Sequence, residues 1–220
     1  MKRQGFKEIL LLLSMLFALT GCSVSEATQH GMAVDTIQTE DVLLRVDFLN
    51  VGQADCALLS TKGHYMVIDG GNNGDADRIL SYLEGQGVEK LDAVVGTHPH
   101  EDHIGSLDAI INHFDVDAVY MPKIMHTSKT FEDVLDAVAN KGLKIKSPSP
   151  GDTIDFNGLE IEVLGPQREY KDFNNNSIVL KVNAGETAFL FTGDAEETAE
   201  KDILQADYDL QADVLKVGHH

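Results

Sequence analysis

The sequence predicts an α/β protein in which layered sheets are flanked by helices. Three observations carry that expectation. Short apolar runs rich in β-branched residues recur between Gly, Asn and Asp, the pattern of strands closed by turns. Longer segments carry apolar residues at helical spacing. After an opening meander of strands the two kinds of segment mix without strict strand-helix-strand alternation, which favours stacked sheets covered by helices.

In chain order, strands are expected at 42–50, 54–60 and 64–69. A helix at 75–86 follows, with Ile79, Leu80 and Leu83 on one side. The run at 91–96 is a strand, and Ile104-Gly105-Ser106-Leu107-Asp108-Ala109-Ile110-Ile111 opens a helix at 104–114. Next come a strand at 116–121, a helix at 130–141 with Phe131, Val134, Leu135 and Val138 on one face, and a strand at 143–146. Ser147-Pro148-Ser149-Pro150-Gly151 is a short stiff connector rather than a domain linker. Strands at 158–164, 176–183 and 186–192, a helix at 195–205 and a strand at 212–217 complete the set.

The chain has 220 residues, enough for one domain that buries roughly 70% of its unfolded surface without staples. No low-complexity tract interrupts 41–220. A basic start with Lys2, Arg3 and Lys7 precedes an apolar stretch over 9–19, too short to span a bilayer and suited to a secretory signal. It ends Leu19-Thr20-Gly21-Cys22, which resembles a bacterial lipoprotein cleavage site with Cys22 as the lipidated residue. The expected organisation is a signal peptide at 1–21, a polar tether at 22–40 and a catalytic body at 41–220. That places the protein outside the cell, anchored to a bacterial membrane through Cys22. The other cysteine, Cys56, reads as a small core residue.

Without residues 1–21 the chain carries 14 basic and 35 acidic residues, a formal net charge of −21. This counts against a tight DNA binder, since such a balance repels nucleic acid at long range. It leaves a nuclease open, because divalent ions in a cleft reverse the local potential.

Five of the nine histidines fall in two tight groups, His98, His100 and His103 in one and His219 and His220 in the other. His30, His64, His113 and His126 read as ordinary surface histidines. In Thr97-His98-Pro99-His100-Glu101-Asp102-His103 alternate residues of an extended segment share a side, so His98 and His100 can face one ion. Asp102 and His103 fall where the chain turns into a helix and can reach a second. A faint internal echo accompanies them. A strand ends at Asp69 and the next at His98, and later a strand ends at Asp194 and the next at His219, with separations of 29 and 25 residues. Two such halves would build one site along their meeting line.

His98-Pro99-His100-Glu101-Asp102-His103 resembles the H-x-H-x-D-H signature of the metallo-β-lactamase fold. Asp69 in Val67-Ile68-Asp69-Gly70-Gly71, Asp194 in Phe191-Thr192-Gly193-Asp194, and His219 fit its other motifs in order. Asn50-Val51-Gly52-Gln53-Ala54-Asp55, Asn174-Asn175-Asn176-Ser177-Ile178-Val179-Leu180 and Lys216-Val217-Gly218-His219-His220 are similar to the ComEC type, the domain attached to bacterial competence channels. The resemblance implies an αββα four-layer sandwich. It also implies two divalent ions, zinc or manganese, with His98 and His100 on one, Asp102, His103 and His219 on the other, and Asp194 bridging. Asp69 would support the ligands from behind. Where related hydrolases supply a further histidine, this chain offers only Asn174, Asn175, Asn176 and Ser177, so the first ion is expected to be held less firmly. Asn50 stands where the ComEC type commonly has aspartate. The family continues past the position of His220 with further strand and helix, so the chain is expected to lack C-terminal elements and to be of doubtful activity as it stands.

The resemblance implies a metal-dependent hydrolase using a metal-activated hydroxide, with Asp102 and His220 as catalytic groups and DNA as the leading substrate. A lactonase or β-lactamase-like carbonyl hydrolase is the alternative among enzymes, and a non-catalytic metal-binding surface lipoprotein the alternative outside them. No protein partner is evident in the sequence.

Overall fold

A computed structural model describes residues 43–220. The expected signal peptide, Cys22, the tether and His30 lie outside the described residues.

Strand β1 (Arg45–Phe48) pairs antiparallel with β2 (Ala57–Thr61), and β2 with β3 (His64–Ile68). Lys62 and Gly63 turn between the last two at φ 48° and 82°, the left-handed geometry whose twist suits a hairpin. Helix α1 (Ala76–Gly85) leads through β4 (Lys90–Leu91) to β5 (Ala93–Val95), which lies parallel beside β3. Two helices follow, α2 (Glu101–Ile104) and α3 (Leu107–His113), then β6 (Asp115–Val116) and β7 (Val119–Tyr120). Helix α4 (Lys129–Asn140) begins where the Ser128 hydroxyl accepts from the Phe131 amide at 3.2 Å, a side-chain cap of the first turn. With β8 (Ile145–Lys146), the first sheet runs β1-β2-β3-β5-β7-β8, while β4 and β6 pair separately.

The second sheet contains β9 (Thr153–Phe156), β10 (Leu159–Gly165), β11 (Val179–Ala184), β12 (Thr187–Phe191) and β13 (Val214–Lys216), ordered β13-β12-β11-β10-β9. All its pairs are antiparallel except β12 with β13. Helix α5 (Glu197–Leu204) lies between these last two in sequence.

Period-two alternation sorts the strand residues between layers. Leu58, Val67 and Val94 turn towards Ile79, Leu83, Ile110 and Val134 of the helices. Their neighbours Leu59, Met66, Ile68 and Val95 turn the other way, onto Phe156, Ile161, Leu180 and Phe191 of the second sheet. Outside that sheet, Leu164 and Val179 meet Ala199 and Ile203 of α5. Both faces of the central strands are covered, so they read as continuous apolar runs rather than as alternating ones. The order of layers is helix, sheet, sheet, helix, as expected.

The structure corrects some expected boundaries. The run at 91–96 divides at Asp92, whose carboxylate accepts from the Tyr65 amide at 3.0 Å. The run at 116–121 divides between two sheets. The helix expected at 104–114 breaks at Gly105 and Ser106. There the chain presses on the Asn72 backbone, and Ser106 Oγ donates to the Asn72 carbonyl at 2.6 Å. Strand β9 was not expected, although Asn157 and Gly158, at φ 50° and 82°, form the turn that joins it to β10.

Candidate metal centre

The candidate ligands stand just past strand ends. Asp69 follows β3 and His98 follows β5, parallel neighbours in the first sheet. Asp194 follows β12 and His219 follows β13, parallel neighbours in the second. The echo in the sequence is thus repeated in the architecture, and the sandwich brings both pairs to one rim.

Asp69 is the buried support. It holds a left-handed φ of 62°, uncommon outside glycine but more accessible to Asp than to most residues. The Thr97 amide donates to its Oδ1 at 2.8 Å and the Thr97 hydroxyl to its Oδ2 at 2.9 Å. His103 Nδ1 lies 2.9 Å from the same Oδ2. With Nδ1 committed there, the ring turns Nε2 outward, where Asp194 Oδ2 sits 3.2 Å away. Both of those atoms are buried, and neither has a hydrogen-bond partner of good geometry. Atoms left so cost about 1–3 kcal/mol each, and an imidazole nitrogen facing a carboxylate oxygen is a donor pair suited to zinc or manganese.

The remaining candidates close around this pair. His219 Nε2 lies 3.1 Å from Asp102 Oδ2 and 3.2 Å from Asp194 Oδ2. His220 Nε2 is 3.3 Å from Asp194 Oδ2, so it too points inward. On the other side His98 Nε2 is 3.1 Å from His100 Nδ1, and the His98 and His103 rings lie 4.1 Å apart. Ser177 Oγ lies 3.3 Å from His98 Nδ1 and accepts from the Asp194 amide at 3.0 Å. Two of the asparagines around it, Asn175 and Asn176, serve the local fold. Asn175 Oδ1 accepts from the Glu196 and Ala199 amides at the start of α5, and Asn176 holds the Tyr170 backbone.

Charge in the cluster is finely divided. Burial, reinforced by His103, pushes the His98 imidazole down to about 2. Burial also pulls His103 downward, but Asp69 and Asp194 on its two sides outweigh it and raise the ring to about 10. Burial favours a neutral Asp194, yet the facing His103 outweighs it and brings that carboxyl to about 2. Without an ion, therefore, a proton on His103 supplies the positive charge between two carboxylates.

A family model of the Metallo-beta-lactamase superfamily matches residues 49–220. The chain belongs to the metallo-beta-lactamase superfamily. Among relatives, it is 28% identical over 194 residues to ComE operon protein 3 of Bacillus subtilis, a match covering 80% of this chain and 25% of that protein. It is 27% identical over 183 residues to Recombination protein 2 of Haemophilus influenzae, covering 80% of this chain and 21% of that protein. The chain thus spans a quarter or less of the length of these ComEC-like relatives. A metallo-β-lactamase of Cronobacter sakazakii with a HARLDQ motif superposes with a TM-score of 0.57 at 15% identity, covering 82% of this chain and 79% of that one, a likeness of fold alone. Members of the superfamily are generally metal-dependent hydrolases, and the described residues of this chain include a cluster of Asp and His that could hold a metal ion.

Two residues of this metallo-beta-lactamase domain escaped the sequence reading. Asp55, Asp194, His103 and His219 offer ligand atoms within 4.8 Å of one another. Asp55, however, approaches the Nδ1 side of His103, 3.6 Å away, and forms an ion pair with Lys216. It stands behind the ring with Asp69, opposite the outward Nε2. Its motif was legible, but its partner lies 161 residues away. His126 is the second, and it corrects the expectation of an ordinary surface histidine. Its ring packs 4.7 Å from Phe173 and 6.4 Å from His100, at the edge of the site. His64 and His113 do pair at the surface, with Asp92 and Glu84. Cys56 is buried as expected, and burial raises its thiol well above the usual range.

Proposed function

We propose that this protein is a metal-dependent phosphodiesterase acting on DNA, tethered by a lipid on Cys22 to the outer face of a bacterial membrane. The observation that carries the reading is the gathering of His98, His100, Asp102, His103, Asp194 and His219 on one rim, with the Ser177 hydroxyl against His98. Ser177 stands behind His98, on its Nδ1 side, so no further imidazole joins His98 Nε2 and His100 Nδ1, which favours manganese or weakly held zinc at that position. The names of the relatives, a competence-operon protein and a recombination protein, point the same way.

Bound divalent ions would polarise a phosphoryl oxygen and activate water. Asp69 fixes the His103 ring so that Nε2 faces Asp194. To Asp102, paired with His219 and partly open to solvent, we assign acceptance of the proton of the attacking water. The inward-pointing, exposed His220 steadies developing negative charge or protonates the departing oxygen.

The test is hydrolysis of linear DNA by the full chain with manganese or zinc supplied. Cleavage that Asp102→Ala abolishes supports the reading. Turnover of nitrocefin or a lactone instead replaces it with a carbonyl hydrolase, and failure to retain any metal leaves a surface binding protein. Replacing Cys22 by Ser is expected to move the protein from the membrane fraction to the soluble one.

A further inference from the structure

Beside the candidate metal rim lies a cavity of about 670 Å³ that the proposed chemistry does not use. Its walls include Met125, Phe131, Tyr170 and Phe173, with Lys123 and Lys171 among the lining residues. Phe173 is the shared partition, because its ring also packs 5.7 Å from the His100 ring. His126 packs against the same partition, with Ser128 N donating to its Nδ1 at 3.1 Å, so that a neutral ring carries its proton on Nε2. A group held in the cavity is therefore one side chain away from the candidate ligands.

The cavity combines two features that seldom share one ligand. Its wall is aromatic and thioether-rich, suited to a flat apolar ring. Its exposed cations, Lys123 and Lys171, have no carboxylate partner among the described residues of a strongly acidic chain. Glu169 is the one acidic side chain in the lining. An occupant that matches both features is a flat ring carrying an anion a short distance away.

We infer that the cavity is a nucleobase subsite, which takes the unstacked base of a single-stranded oligonucleotide against Phe173 while Lys123 and Lys171 meet its flanking phosphates. The inference rests on the phosphodiesterase reading and deepens it: a base held there places the adjoining backbone at His100. Only an unpaired base can offer its face to such a wall.

The test is fluorescence anisotropy with chelator-treated full chain, so that binding is read without turnover, comparing a labelled single-stranded oligonucleotide with one made of abasic units. Wild-type protein is expected to prefer the base-containing strand about tenfold. Phe173→Leu should bring that ratio close to one without lowering the melting temperature. Lys171→Ala should weaken both strands alike and flatten the salt dependence by about one unit of slope. Equal affinity of the wild type for the two strands, or no binding of either, overturns the inference, and that comparison needs no variant. Preference for bases in a protein that cleaves no DNA with metal would leave the subsite standing and remove the phosphodiesterase. DNA cleavage without base preference would do the reverse.

Discussion

At the scale of single residues, His98 and His103 make opposite demands on pH although their rings touch. His103 in the metal-free protein is raised from 6.5 to about 10. Its contribution to stability is fully present below about pH 6.5 and is lost as pH rises through about 10. His98 is depressed from 6.5 to about 2. Below pH 6.5 the unfolded chain binds a proton there that the folded chain refuses, so stability falls as the solution is acidified. The metal-free protein should therefore melt highest near pH 6.5. Thermal melts in chelator from pH 4 to 10 check this, with His98→Gln flattening the acid limb and Asp69→Asn the alkaline one. A melting temperature that climbs steadily to pH 9 would contradict the assignment. The candidate ligand histidines were legible because their spacing is local. Asp55 and His126 take their meaning from Lys216 and Phe173, which the fold alone brings near.

Among the elements, the junction of α2 and α3 is the most constrained. A Cβ on Gly105 would overlap the backbone of Asn72 and Asn73, which cannot retreat because Asn73 N donates to Glu101 Oε1 at 2.7 Å. Gly105→Ala is expected to cost about 3 kcal/mol, read as a shifted urea midpoint with an unchanged slope. A neutral result would mean that α2 is free to slide. The continuous helix expected at 104–114 failed here for that reason: apolar spacing reports which face is buried, whereas a break set by the approach of another segment leaves little local trace. Strand β9 is the opposite case. Asn157 and Gly158 between apolar runs signal a hairpin, so that element was readable and was passed over.

Over the whole molecule, the candidate ligands divide between the two sheets, Asp69, His98 and His103 with the first and Asp194 and His219 with the second. An ion held by both sets would bind the folded state alone. Metal at a thousand times its dissociation constant should then add about 4 kcal/mol, or about 10 °C in melting temperature for a chain of this size. Calorimetry with and without chelator measures it, and an unchanged transition would mean that the rim holds no ion. The layered architecture itself was legible, because covered strands leave continuous apolar runs and helices leave periodic ones.

The Lys216 contact with Asp55 joins positions 161 apart in sequence, and a closure of that span is expected to come late in folding because its chain entropy is lost before any contact repays it. The rim is completed by the same strand, so an ion should find no finished seat in the transition state. In stopped-flow experiments it would then leave the refolding rate almost untouched and slow the unfolding limb, acting as a latch on the finished protein rather than as a nucleus for its assembly.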